Sequence, residues 1–254
     1  MKTRHIILTL ALVMAGVSAG AQVNYKWTTV QMNSDYDEIK DPKATQIIAR
    51  FSPKLEPVQE IIGYSKEEYS KHRPESPLSN FAADVIREAA EKLFATHVDL
   101  AMTNFGGIRT NLPKGAVRVY DIYSIFPFDN TIVVFDIKGT DLIKFFNKMA
   151  RNTEALSNVK LVVCDRKVKS LEIDGKPFDP DKTYKFATIN FLLDGGDGIH
   201  LKDYAMNLQE SEVFIRDVIV DYIRQMNAVG KVIAPVCDGR VIVETMGNPS
   251  IRPE

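Results

Sequence analysis

The amino-acid sequence predicts one α/β domain of mixed order, and three observations carry that expectation. Segments 79–95, 140–150 and 211–227 space their apolar residues by three and four, the period of an amphipathic helix. Between and beyond them run short apolar stretches, "VDLAMT", "TIVVFDI", "YKFATIN" and "DGRVIVE", that suit buried strands. The two kinds of segment do not alternate one for one, so a regular βαβ series is not expected. At 254 residues, 45% hydrophobic and 26% charged, the chain has an ordinary globular composition, long enough for one large domain or two small ones.

The elements follow in chain order. Lys2, Arg4 and His5 precede the apolar run "IILTLALVMAGV", which ends in the small residues "SAGA" before Gln22. That pattern predicts a signal peptide over 1–21, cleaved near Ala21, since the run is short of the ~20 residues of a membrane span. It contains no cysteine for a lipid anchor. Residues 22–44 are polar with some alternation and read as an N-terminal arm. Two prolines in "ATQIIARFSPKLEPVQEIIGYS" favour extended structure there over a long helix. The first helix, 79–95, takes Ser79 as its N-cap and turns Phe81, Val85, Ile86, Ala89, Leu93 and Phe94 inward. Thr140 caps the second, with Leu142, Phe145, Phe146 and Met149 inside. "SLEIDGKPF" is a hairpin turning on Asp174-Gly175. The third helix, 211–227, sets Phe214, Val218, Tyr222 and Met226 on one face, and "DGRVIVE" closes the domain as a strand.

Charge and composition exclude several functions. A formal net charge of −1 argues against a nucleic acid polymer as partner, because phosphate neutralisation needs a basic excess. No apolar run after the first reaches membrane length, so no membrane association is expected after signal cleavage. Cys164 and Cys237 form no metal motif; an exported chain could pair them, or they stay free. His5, His72, His97 and His200 are scattered and keep no ligand spacing, so no metal is expected in this chain.

The loops at strand ends carry the chemistry. "TNFGGIRTNL" sets Gly106 and Gly107 between Asn104 and Arg109. Such a loop either ends a strand tightly or lets a ligand lie against the backbone while an amide and a guanidinium hold it. "SIFPFDNTIVV" places Phe128 and Asn130 just before a strand, and "ATINFLLDGGDGIH" places Phe191, Gly195, Gly196 and Asp197 just after one. The glycine run lacks the alternating oxygen ligands and final glutamate of an EF-hand. Each phenylalanine taken singly suits a core. Two of them beside two glycine-rich polar loops also suit a nucleoside site, with rings stacking a base and a carboxylate taking sugar hydroxyls.

Together "TNFGGIR", "DIYSIFPFDNTIVVFDIKGTDL" and "YKFATINFLLDGGDGI", in that order, resemble the C-terminal domain of the secreted 5′-nucleotidase family. The likeness runs over about residues 45–245, leaving 246–254 as a tail. It implies a single four-layer α/β/β/α domain that binds nucleotide. On that resemblance Phe128 and Phe191 clamp the base, Asp197 binds the ribose hydroxyls, and Asn104 and Arg109 contact base, ribose or phosphate. Asn130 matches an asparagine of some members. Arg73, in "HRPESPLSN", matches an arginine that the family uses upstream, near the start of the first helix. Phe105 departs from the family's usual glycine, either narrowing the pocket or adding packing.

The family's hydrolytic chemistry belongs to a separate metallophosphatase domain with D-x-H, G-N-H-[ED] and G-H-x-H ligands, and none of these motifs occurs here. The resemblance therefore implies the binding half on its own, with no catalytic residues. Divalent metals are expected only in a separately encoded metallophosphatase subunit. Three readings stay open: the nucleotide-binding half of a split periplasmic or secreted 5′-nucleotidase, a stand-alone nucleoside-binding protein, or a scaffold that kept the fold and lost the site.

Overall fold

The structure is a computed structural model that describes residues 25–29 and 42–245. The expected signal peptide, most of the arm and the 246–254 tail lie outside the described residues. The chain divides into two compact units, Met1–Phe51 and Ser52–Glu254.

In the first unit, helix α1 spans Pro42–Phe51. This corrects the extended structure expected from residue 44 onward. Both prolines of that stretch lie beyond α1, in the 3-10 turns of Ser52–Gln59, so nothing in "ATQIIARF" interrupts a helix. Tight 3-10 turns tolerate proline where its missing N–H has no acceptor to lose. Only β1, Ile61–Ser65, is extended.

The described residues of the second unit form three sheets. The largest orders its strands β10-β4-β9-β2-β5, formed by Met206–Phe214, Thr131–Lys138, Thr183–Ile189, Leu100–Thr103 and Ala155–Ser157. Only β9 and β2 run parallel; the other neighbours are antiparallel. A second sheet joins β11 (Val241–Glu244), β6 (Val159–Cys164), β7 (Lys167–Ile173) and β8 (Lys176–Pro177). The Asp174-Gly175 hairpin stands where expected, both residues having positive φ (54° and 66°) and Ile173 facing Lys176, as a tight primed turn requires. The third sheet pairs β1 with β3, Gly115–Arg118. The mixed α/β class holds.

Helix α2 runs Pro77–Phe94 and packs on β2 and β5. Its cap is Ser76, not Ser79. Ser76 Oγ accepts the Ser79 N–H at 3.1 Å while Ser79 Oγ accepts the Ser76 N–H at 3.0 Å, a reciprocal box with Pro77 in the first turn. Phe81, Val85, Ile86 and Ala89 are buried, but Leu93, in the last turn, is exposed. Next in the chain come α3, Val119–Ile125, which the sequence reading missed, and α4, Gly139–Met149. Thr140 does not cap α4: the helix starts one residue earlier, and the Gly139 N–H is satisfied by the Lys182 carbonyl at 2.8 Å. Leu142, Phe145, Phe146 and Met149 are buried as expected, and Phe145 meets Phe186 of β9 edge to face at 6.2 Å. Burying rings of this size contributes about 1.5–3 kcal/mol each. A four-residue turn, α5, covers Asn190–Leu193. The last helix, α6, starts at Ile215, because residues 211–214 continue β10. It buries Ile215, Ile219, Val220 and Ile223, so the face expected from Phe214 to Met226 is off by one residue and lies half-buried at the edge. Cys164 and Cys237 are unpaired.

Candidate nucleoside site

The loop after β2 is shaped by the asparagine that opens it. Asn104 is 2% exposed, and its Nδ2 donates to Asp197 Oδ2 at 2.6 Å. Its side chain lies across the following backbone: a methyl on Gly107 would sit 2.6 Å from Asn104 Oδ1, and one on Gly106 3.3 Å from Asp197 Oδ2. Gly107 is thus needed for close approach and Gly106 is tightly packed, and neither has positive φ. Lys71 Nζ holds the loop from beneath, donating to the carbonyls of Phe105 (2.7 Å) and Ile108. Burial, then the nearby Arg109 and Arg73, push the Lys71 ammonium below the usual lysine range. Arg109 is exposed; its Nη1 donates to the Gly106 carbonyl at 3.2 Å and its guanidinium carbon lies 5.9 Å from the Phe128 ring centre.

Phe128 and Asn130 sit between α3 and β4. Asp129 pairs with Arg216 at 2.6 Å and the Asn130 carbonyl accepts the Ile215 N–H at 2.9 Å, tying this loop to the start of α6. Across from it, Asn190 Oδ1 accepts the N–H of Thr131 (3.1 Å) and of Phe191 (2.9 Å), joining the end of β9 to the start of β4. The chain then turns left-handed at Gly195 (φ 106°), where a side chain would strike the His200 ring at 2.7 Å. Gly196 lies under the Phe191 ring, with 2.3 Å from an added methyl to Cε1. Asp197 itself is left-handed (φ 54°), a conformation aspartate tolerates better than most residues.

A cavity of about 230 Å³ lies among Asn104, Gly106, Gly107, Arg109, Phe128, Asn130, Phe191 and Asp197. Three loops far apart in sequence thus meet at one place. Phe128 and Phe191 remain 46% and 42% exposed, unusual for phenylalanine unless a face is kept for something else. Among the described residues, Asn104 Oδ1 is one of three buried side-chain polar atoms with no hydrogen-bond partner. That oxygen is itself buried, packed against the Gly107 backbone.

Gly195, Gly196 and Arg73 do not line that cavity. The glycines shape the turn. Arg73 donates to Asn152 Oδ1 (2.9 Å) and Glu154 Oε1 (2.7 Å), and its guanidinium carbon lies 4.5 Å from the Phe105 ring centre. Phe105 is buried in a small cluster with Ala83 and Ala155, so it adds packing and does not narrow the pocket. Glu154 Oε2 accepts the Phe105 N–H at 2.8 Å. Burial raises the Glu154 carboxyl above the usual carboxylate range, with the Phe105 N–H and Arg73 opposing and Asp197 reinforcing the shift.

Two other features fit a ligand less well. His97, Asp99 and Asp174 place ligand atoms within 4.8 Å of one another. Both Asp99 oxygens are already engaged, however, by Lys182 Nζ (2.6 Å) and the Lys185 N–H (2.8 Å), so a cation would have to displace an ammonium. A wide groove of about 690 Å³ beside α2 and α6 has Arg240 as its most buried charge. That guanidinium is already paired with Asp84 (2.7 Å) and Asp238 (2.7 Å).

The sequence pattern of the family described as 5′-nucleotidase, C-terminal domain, matches residues 61–203. The chain belongs to this family. The UshA protein of Yersinia enterocolitica is 32% identical over 133 residues, covering 50% of this chain and 24% of UshA. Escherichia coli UshA is 30% identical over 142 residues, 54% of this chain and 26% of that protein. The 5′-nucleotidase precursor of Thermus thermophilus superposes with a TM-score of 0.69 at 24% identity, over 81% of this chain and 43% of the nucleotidase. The present chain therefore has the nucleotidase C-terminal fold, and its matched part spans about a quarter of the UshA proteins. Lys71, Asn190, Arg216 and Glu154, which brace the site of this family member, escaped the sequence reading. Each acts on a partner tens of residues away, so no local pattern announces it.

Proposed function

We propose that this chain is the nucleoside-holding half of a periplasmic 5′-nucleotidase, presenting nucleotides to a separately encoded metallophosphatase that hydrolyses the phosphate ester. The observation that carries the reading is the single cavity formed by Phe128, Phe191, Asn104, Arg109 and Asp197. Base stacking on such rings contributes about 1–3 kcal/mol per base. A carboxylate beside them accepts ribose hydroxyls, and the buried Asn104 amide orients it. At about 230 Å³ the cavity is smaller than the ~300–1,000 Å³ that enclose whole drug-sized ligands. It takes a ring system and leaves the 5′-phosphate outside, where a second protein must reach it. Metal-activated water belongs to that partner. The basic, apolar, small-residue N-terminus supports export, and no helix among the described residues is long and apolar enough to cross a membrane. Intact mass of the exported protein should begin near Gln22.

Calorimetric titration tests the site. Adenosine should bind, and Phe128→Ala or Phe191→Ala should weaken it by about 1–3 kcal/mol while the protein still melts cooperatively. If adenosine, uridine and their monophosphates all fail to bind, and the substitutions alter only the melting temperature, the rings are packing and the reading is wrong. Co-purification with a two-metal phosphatase separates a split enzyme from a stand-alone nucleoside-binding protein.

A further inference from the structure

Arg73 and Arg109 are the two guanidiniums flanking the Asn104–Gly107 loop, and the fold treats them oppositely. Arg109 lines the cavity and is held by one carbonyl. Arg73 is engaged three times, by Asn152, by Glu154 and by the Phe105 ring, and does not line the cavity. Glu154 is 2% exposed, so releasing Arg73 toward a ligand would leave a buried carboxylate without its counter-charge, an unfavourable state. The same carboxylate holds the Phe105 N–H, so it sets the loop that presents Asn104 as well as the arginine behind it. Glu154 and Asp197 also share the wall of a second cavity of about 160 Å³, together with Lys148, His200 and Asp203.

We propose that Glu154 is a positioning residue that withholds Arg73 from the ligand, so that the site recognises the nucleoside moiety and gains little from its phosphate. This rests on the nucleoside reading of the cavity, and it names the substrate feature the site ignores. Arg109 alone faces the ligand from this pair, as an exposed cation screened by water and salt.

Titrations of adenosine and AMP into the full chain test it. The wild-type protein should bind the two within about threefold of each other, as a solvent-screened cation implies. Glu154→Gln keeps an acceptor for the Phe105 N–H but frees Arg73. It should raise AMP affinity relative to adenosine about fivefold or more, and adding Arg73→Met should abolish that gain. A purely structural Glu154 would lower the melting temperature without moving the AMP-to-adenosine ratio, and that result overturns the proposal. So does a wild-type preference for AMP of about tenfold or more that Arg73→Met removes. The Arg73 Nη2–H resonance of ligand-free protein, the donor to Glu154 Oε1, reads the withholding directly. It should exchange slowly in wild type and rapidly in Glu154→Gln. If that resonance behaves as expected but neither compound binds, the nucleoside reading fails and the specificity falls with it. If both compounds bind but the resonance is unprotected in wild type, only the role of Glu154 fails.

Discussion

Asp197 has two constraints at one residue. Its φ of 54° demands a side chain that tolerates the left-handed region, and its carboxylate must hold Asn104 at 2.6 Å. Alanine here would confound binding with backbone strain, whereas asparagine accepts the conformation and keeps an acceptor for Asn104. Replacing charge-assisted bonds by neutral ones loses about 1–2 kcal/mol. Asp197→Asn should therefore weaken adenosine by roughly tenfold, leave 2′,3′-dideoxyadenosine nearly unchanged, and barely shift the melting temperature. Equal weakening of both compounds in calorimetry would remove Asp197 from the ribose. Glu154 supplies a pH test. Its folded pKa is raised by burial, so the folded protein holds the proton more tightly than the unfolded chain does. The stability this contributes is fully present below the unfolded value and is lost as pH rises through the folded one. Urea unfolding should thus show wild type losing ground to Glu154→Gln as pH rises through the window above the ordinary carboxylate value of ~4.3. A difference that stays constant across that window would mean Arg73 compensates the burial fully.

Elements were legible where local pattern alone decides them, and illegible where a distant backbone does. The runs of β2, β4, β9 and β11 and the Asp174-Gly175 turn follow from apolar content and turn chemistry within a few residues. The starts of α2 and α4 do not. A proline moved the first to Ser76, and the Lys182 carbonyl replaced a side-chain cap at the second. The face of α6 slipped by one residue because Phe214 belongs to β10, and its ring is occupied by the Arg216 guanidinium at 4.8 Å. The glycine-rich polar loops at strand ends were legible as such, and only the fold brings them to one cavity. Their braces were not, since the Lys71, Asn190 and Glu154 contacts exist only after folding. Gly139 shows the same dependence at an element boundary. A side chain there would meet the Asp179 and Pro180 carbonyl oxygens at 2.6 and 2.7 Å, and backbone cannot swing aside as a side-chain tip does. Gly139→Ala should cost about 1–3 kcal/mol by overpacking, measured by denaturant unfolding. A change below about 0.5 kcal/mol would show that the α4 start can shift without loss.

At the scale of the whole molecule, the division of labour is the testable matter. The chain corresponds to 43% of the Thermus thermophilus nucleotidase it superposes on, and the cavity lining, with Asn104, Arg109, Phe128, Asn130, Phe191 and Asp197, contains no histidine or cysteine and a single carboxylate. Hydrolysing a phosphate ester needs a positioned, activated water, which metal ions or a general base provide. The groups here that come nearest to a metal set, His97, Asp99 and Asp174, do not line the cavity, so a cation bound there would not touch a ligand stacked on Phe128 and Phe191. The purified chain should therefore release no phosphate from AMP, whether zinc, manganese or cobalt is added. Adding a metallophosphatase that lacks this domain should produce hydrolysis that Phe128→Ala lowers through KM more than through kcat. Uniform binding lost from the nucleoside raises KM and leaves the chemical step alone. Metal-dependent phosphate release by the chain alone, surviving purification and abolished by His97→Ala, would place a catalytic centre in this domain and end the division proposed here.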